Sequence, residues 1–246
     1  NTVLSGVSEQ LMQQITDSAY QDFKDQLLAQ GYQLYAEDEL RKHPSYRTIN
    51  TLDSPYRTDQ PLPAFSAEAK IYAPSRQKLR LFASQGAGAQ GYGWDSPESG
   101  FTKVAEELGV ALLDVIYVVR FSDFGGHSSR STTSIAVDQS VAVIKGSGLF
   151  LTNGEYGSFS TGQGRIRVDR PLGSDKTFAT IVEQQKSSSD KVGEALALGA
   201  AVLLGGGTRS SSTYVYQAEP ERYREAVLDS LTKANRGLIG EMAALR

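Results

Sequence analysis

Apolar residues recur at helical spacing near both ends of the chain. Near the start, Ser8 can cap a helix that runs to about Gln30, and Gly31 suits the position after a helix. The apolar stripe of this helix consists of Leu11, Ile15, Ala19, Phe23 and Leu27. Pro220 lies in the first turn of a closing helix. Its stripe consists of Tyr223, Val227, Leu231, Ala234, Leu238 and Met242. The pattern therefore predicts two long amphipathic helices.

Between these helices, apolar residues form short runs or alternate with polar ones, as they do in strands. The strongest run, residues 110–121, is almost entirely apolar from Val115 to Val119, which predicts a central strand buried on both faces. Asn153-Gly154 favours the type I′ turn of a hairpin. The other predicted strands are 32–35, 64–72, 78–83, 135–144, 149–152, 155–159, 165–169, 177–184 and 213–217. Shorter helices are predicted at 36–42, 101–108 and 189–198.

This mixture of elements predicts an α/β (α+β) fold. One mixed β-sheet packed by amphipathic helices is the simplest arrangement that covers the apolar face of every element. Long loops rich in Gly, Ser and Tyr would join the elements, among them residues 48–63, 84–100 and 125–134. No repeat and no low-complexity linker divides the chain, so we predict a single domain over residues 1–246.

Composition narrows the classes of partner. Nucleic-acid binding requires a cluster of basic residues on one face of the protein. The net charge of −3 gives no reason to expect such a cluster, so we predict no nucleic-acid partner. The longest weakly polar run, residues 196–207, is shorter than the about 20 residues that a membrane-spanning helix needs. The chain lacks cysteine and starts at Asn1 rather than Met, which favours an exported protein whose signal peptide has been removed. We therefore expect a periplasmic or extracellular location.

Two histidines are the candidate bases. His127 lies in the segment FGGHSSRS after the predicted buried strand, close in sequence to Asp123 and Ser128. A Ser-His-Asp arrangement requires convergence in space, and the chain has no G-x-S-x-G sequence. We interpret the His127 segment as a flexible Gly/Ser loop and keep a hydrolase as an alternative hypothesis. His43 precedes a proline at a helix end and is interpreted as an ordinary surface histidine.

Three further residues are candidates for ligand binding. Trp94 and Tyr92 lie in a Gly-rich aromatic stretch that suits a contact surface or a small-molecule or glycan site, with ordinary sheet packing as the alternative. Arg209, followed by serines, could hold an anion, although neither Gly-rich stretch has the lysine of a phosphate-binding loop. No pattern of carboxylates matches a glycosidase pair or a calcium loop, so we predict no metal and no cofactor.

Four segments resemble a known group of envelope proteins. They are GYQLYAEDEL, VAEELGVALLDVIYVVRFSDF, VAVIKGSGLFLTNG and ERYREAVLDSLTKANRGLIGEM. Their order is similar to that in domains related to the amino-terminal domain of TolB and to the curli secretion channel family, and in uncharacterised exported bacterial proteins. The resemblance spans residues 11–151 and 219–245 in outline and rests on hydrophobic patterns. It implies a periplasmic or cell-surface protein that acts by binding or assembling, and it assigns no catalytic residue.

The absence of a catalytic pattern leads to a functional expectation. We expect a non-enzymatic envelope or extracellular protein that binds a protein partner or assembles with itself. The chain departs from the channel family because it lacks a cysteine for lipidation and long amphipathic membrane hairpins, so pore formation is not implied. The alternatives are a small-molecule or glycan-binding module around Trp94 and a hydrolase that uses His127.

Overall fold

The computed structural model describes residues 2–49, 51, 53–57, 70–75, 77, 97–128, 133–153, 164–184 and 213–245. Helices and strands alternate irregularly along this part of the chain, and the predicted α+β class is confirmed. The predicted strands 78–83 and 155–159 and the predicted helix 189–198 lie outside the described residues.

The two long helices form as predicted. Helix α1 spans Glu9–Ala29, and its cap Ser8 accepts a hydrogen bond from the Leu11 backbone N–H at 3.1 Å. The closing helix spans Pro220–Ala244 and is the fifth described helix, α5. Both apolar stripes are buried. Asn235 bonds to Ala19, whereas Thr232 bonds to Gln26, so the two helices run antiparallel.

Three shorter helices lie between α1 and α5 in the sequence. They are α2 at Glu37–Lys42, α3 at Pro44–Arg47 and α4 at Pro97–Leu108. The predicted strand at 32–35 is wrong because these residues form no ladder. The backbone N–H of Tyr32 instead donates to the carbonyl of Leu27, so the start of this segment completes the end of α1.

The described strands form four small sheets rather than one large sheet. The strands are β1 Thr2–Ser5, β2 Tyr56–Arg57, β3 Lys70–Ile71, β4 Leu112–Ile116, β5 Val119–Ser128, β6 Thr133–Val143, β7 Gly148–Thr152, β8 Gly164–Arg167, β9 Leu172–Gly173, β10 Ala179–Gln184 and β11 Thr213–Ala218. The sheet orders are β1-β11-β10, β2-β3, β4-β7-β8 and β5-β6-β9. The single mixed sheet of the prediction is therefore divided.

The predicted central strand 110–121 is broken at Tyr117 and Val118, and its two parts, β4 and β5, lie at the edges of their sheets. The strands opposite, β6 and β7, cause the break. Ile116 pairs with Gly148 and Val119 pairs with Val143, so four residues lie between these rungs on the β6–β7 side and only two on the β4–β5 side. The bulge is closed by the Val118 N–H, which donates to the Ser147 hydroxyl at 2.8 Å.

On the other side of β6 and β7, no such insertion occurs. Gly148 pairs with Arg167 and Val143 pairs with Leu172, so four residues lie between these rungs on each side. The sheets β4-β7-β8 and β5-β6-β9 are consequently two ends of one antiparallel meander that is interrupted in the middle. This meander and the sheet β1-β11-β10 supply strand residues to the main core, which α1 and α5 complete.

Residues 125–134 were predicted as a glycine-rich loop, but their described parts belong to the paired strands β5 and β6. Gly125 and Gly126 pair with Ala136 and Ile135, and β5 continues to Ser128. Glycine has a low preference for strands, but its backbone donates and accepts ladder hydrogen bonds like any other residue. Neighbouring strands therefore overrode the local composition.

Candidate functional site

The four residues predicted for ligand binding do not form a described site. Trp94, Tyr92 and Arg209 lie outside the described residues. The backbone of His127 lies in β5, where it pairs with Ser134 of β6. The side chains of His127 and Asp123 lie outside the described part of the chain, so the hydrolase that would use His127 stays a hypothesis.

His43 is half-buried, unlike the surface histidine of the prediction, and belongs to a polar cluster between α3 and α4. The Ser45 hydroxyl donates to Oε2 of Glu107, and the His43 Nδ1 atom lies 3.8 Å from that same oxygen. Lys103 Nζ lies 3.9 Å from the other carboxylate oxygen. A serine nucleophile must donate its hydroxyl proton to the imidazole, but here the Ser45 hydroxyl donates to the carboxylate of Glu107. This arrangement fits the attachment of α3 to α4 rather than a nucleophilic site.

A second polar cluster joins α1 to the segments that follow it. Tyr20 bonds to Glu37 and Gln77, and Tyr46 donates to Gln77 Oε1 at 3.0 Å. Lys24 forms an ion pair with Glu37. Burial, assisted by the charge of Glu37, raises the pKa of Tyr20 to about 12, so its phenol stays protonated at neutral pH. These side chains form hydrogen bonds and an ion pair with one another, which is typical of a structural contact.

Asp114 is the buried carboxyl group on the sheet face that β4 turns away from the main core. Its neighbours Leu113 and Val115 pack on that core, so Asp114 points to the opposite face, where Leu112 contacts the smaller cluster around Phe101. Its Oδ2 atom is buried and has no hydrogen-bond partner among the described residues. Burial raises the pKa of Asp114 to about 7. Asp114 therefore retains its proton well above the ordinary range of an aspartic acid.

A different feature, the outer face of the sheet β1-β11-β10, offers a surface for contact. Leu4, Tyr216 and Ile181 are paired across the three strands and pack against the core. Side chains alternate along a strand, so their neighbours point outward. We call this surface the valine face. Its described side chains are Val3, Ser5, Thr180, Val182, Val215 and Gln217.

The valine face is apolar along one line. Val3 pairs with Val215, and Val215 pairs with Val182, so three valines form a row across the strands. Val3 is 48% exposed and Val182 is 42% exposed. Sequence reasoning predicted β10 and β11 but missed β1, and so missed the row. The alternation in Thr2–Ser5 was the available signal, but four residues are too few to establish it.

Within the described residues, no group of three or more His, Asp or Glu side chains is arranged to hold a metal ion. In the same part of the chain, no helix combines the length and the apolar character that crossing a bilayer requires. Comparisons with protein-family models, with curated proteins and with solved structures found no match to this chain. The proposal for its function consequently rests on the geometry described above.

Proposed function

We propose that the protein acts without catalysis by binding a protein partner through the valine face. The observation that carries the proposal is the row of Val3, Val215 and Val182, of which the two outer members are exposed. Exposed apolar side chains in one continuous row favour contact with another apolar surface, since that contact removes them from water. Scattered single residues would carry no such implication.

The strand arrangement adds a second reason. In the order β1-β11-β10, the strands β1 and β10 each have one described strand neighbour. Edge strands of small sheets commonly carry a lysine or a proline that discourages association. The sequences TVLS and ATIVEQ contain neither, and the side chains that they turn outward in the described part are uncharged. The one charged residue of these two strands, Glu183, lies on the other face of β10, so no charge on the valine face discourages contact.

We further propose that this binding takes place in the periplasm or outside the cell. A chain of 246 residues without cysteine avoids mispaired thiols in an oxidising compartment. The similarity of its hydrophobic pattern to envelope domains that bind or assemble supports the same location.

The proposal is tested by capture of partners on the immobilised full chain from an extract of the cells that produce it. Val182→Lys places a charge on the valine face, whereas Leu28→Lys places one at the end of α1, where Leu28 is 53% exposed. We expect Val182→Lys to lose a specific partner that the native chain and Leu28→Lys both retain, because burying an unpaired charge is costly. Equal capture by all three proteins would refute the assignment of this face.

A further inference from the structure

Helix α4 packs on the sheet face that contains Asp114. Leu112 lies two residues before Asp114 on β4, so both side chains point to the same face. Leu112 packs against the small cluster that includes Phe101 and Val104 of α4. Phe150, the partner of Asp114 on β7, points to this face as well and is 4% exposed, and α4 contacts β7. Asp114 therefore lies at the contact between α4 and the sheet.

The carboxyl group of Asp114 has few polar neighbours at this contact. Its Oδ2 atom is buried and has no hydrogen-bond partner among the described residues. The Val115 N–H forms a hydrogen bond that favours the ionised carboxyl group, but burial outweighs it. Strands β4 and β7 contain no other charged residue. A negative charge on Asp114 would thus be buried without a counter-ion from either strand, which is costly.

Two arginines on β8 share the face of the sheet that contains Asp114. Arg165 and Arg167 are exposed and lie two strands away from Asp114, a distance of about 10 Å between the strands. The Arg165 guanidinium lies 5.1 Å from the centre of the Phe150 ring. Water screens exposed charges at such distances, so burial still determines the direction in which the pKa of Asp114 moves.

The titratable groups of the adjoining helices are engaged elsewhere or exposed. On α3, the Tyr46 hydroxyl donates to Gln77, and the His43 Nδ1 atom lies 3.8 Å from Glu107 of α4. The remaining charged side chains that are described on α3 and α4 are exposed, and they are Arg47, Lys103 and Glu106. The described helices therefore bring apolar side chains, rather than charges, to the contact with Asp114.

The cluster under α4 is much smaller than the main core. Its buried members are Tyr46, Ile49, Phe101 and Val104, whereas α1 and α5 both bury whole apolar stripes in the main core. A unit with few buried apolar contacts opens at a lower free energy than the whole chain unfolds. Helix α4 is thus the element whose departure gives water access to Asp114 at the lowest cost.

From this geometry, we propose that α4 is a pH-dependent cover, which stays closed on the sheet while Asp114 is protonated and opens more readily once Asp114 is ionised. The inference concerns a surface other than the valine face and does not rest on the proposed function.

The direction of the pH dependence follows from linkage. Burial under α4 raises the pKa of Asp114 to about 7, whereas opening of α4 exposes the carboxyl group to water and returns its pKa towards 3.8. The closed state therefore keeps a proton that the open state releases between about pH 4 and pH 7. Closure is strongest below about pH 4, weakens as the pH rises towards 7, and is then constant.

The test is hydrogen exchange of the full chain at pH 5 and pH 8, with each amide rate divided by the intrinsic rate at the same pH. The amides of α4 are expected to be less protected than those of α1 and α5 at both pH values, since α4 opens without global unfolding. Their protection is expected to fall at least about tenfold from pH 5 to pH 8, which corresponds to one unit of the pKa shift.

Variants assign the effect to Asp114. Asp114→Asn is expected to keep the protection of α4 nearly constant between the two pH values, and the exposed Asp175→Asn is expected to behave like the native chain. His43 is retained in all three proteins, so their comparison isolates Asp114. Circular dichroism confirms that each variant is folded.

Three results would overturn the proposal. The first is protection of α4 that equals that of α1 and α5 at both pH values, because α4 would then open only when the whole chain unfolds. The second is protection of α4 in the native chain that does not fall with pH. The third is an equal fall in Asp114→Asn. The first two need the native chain alone, so the test does not depend on the folding of a variant.

Discussion

Replacing Asp114 by Asn should remove a pH-dependent loss of stability. Burial raises the pKa of Asp114 from the ordinary 3.8 to about 7 in the folded chain. The folded state therefore holds the proton over a pH range in which the unfolded state has released it. Stability is greatest below about pH 4, decreases as the pH rises towards 7, and is then constant. Asparagine has almost the same shape but cannot ionise, so it should not show this decrease.

The size of the effect follows from the shift in the pKa. One pKa unit corresponds to about 1.4 kcal/mol, so a shift of about three units corresponds to about 4 kcal/mol. This value is an upper limit, because relaxation of the surroundings and entry of water lower the cost of a buried charge. Above pH 7 we expect Asp114→Asn to exceed the native chain in stability by about 2–4 kcal/mol. At pH 4 the two proteins should differ little.

The assay is unfolding in guanidinium chloride at several pH values between 4 and 8, compared between the native chain and the variant. Comparing the two cancels the titration of the other carboxyl groups, which both proteins share. Asp175→Asn serves as the control for the loss of one charge, because Asp175 is exposed. A stability difference between Asp114→Asn and the native chain that does not change with pH would refute the account of Asp114 as a buried acid.

Three further variants test packing and the helix backbone. Asn235 is fully buried, donates to Asp22 and accepts from Tyr117, so Asn235→Ala should lower the free energy of unfolding by about 2–4 kcal/mol in urea titrations. A loss below 1 kcal/mol would contradict this role of the amide. Gly148→Ala would bring a Cβ atom to 2.6 Å from a backbone oxygen and should cost about 1–3 kcal/mol. Gly237→Ala meets nothing within 4 Å in α5 and should instead stabilise the chain by about 0.5–1 kcal/mol. Equal melting temperatures for the two variants would contradict the expected difference between them.

The long helices were predictable because their signals are local. Ser8 and the apolar stripe that follows it lie within one continuous segment, and a helix makes its backbone hydrogen bonds inside that segment. The same holds for the closing helix, where Pro220 and the stripe agree with the observed bounds. Contacts with other parts of the chain therefore did not alter the predicted bounds of either helix.

The strands were predicted less well because a strand needs a partner from elsewhere in the chain. Residues 32–35 were predicted as a strand, but they pair with no described strand and form no ladder. The run 110–121 is almost entirely apolar from Val115 to Val119, yet two extra residues on the opposite strands interrupt it at Tyr117. The composition of the run contains no information about the length of its partner.

The long helices, the α+β class and the absence of cysteine chemistry can be read from the amino-acid sequence, since they follow from local periodicity and composition. The valine face and the burial of Asp114 depend instead on how distant segments pack together. Val3 meets Val215 and Val182 through pairing between strands that are far apart in sequence. The pKa of Asp114 likewise depends on which side chains cover one face of β4. Both properties arise from contacts between segments that are far apart in sequence, which no single segment encodes.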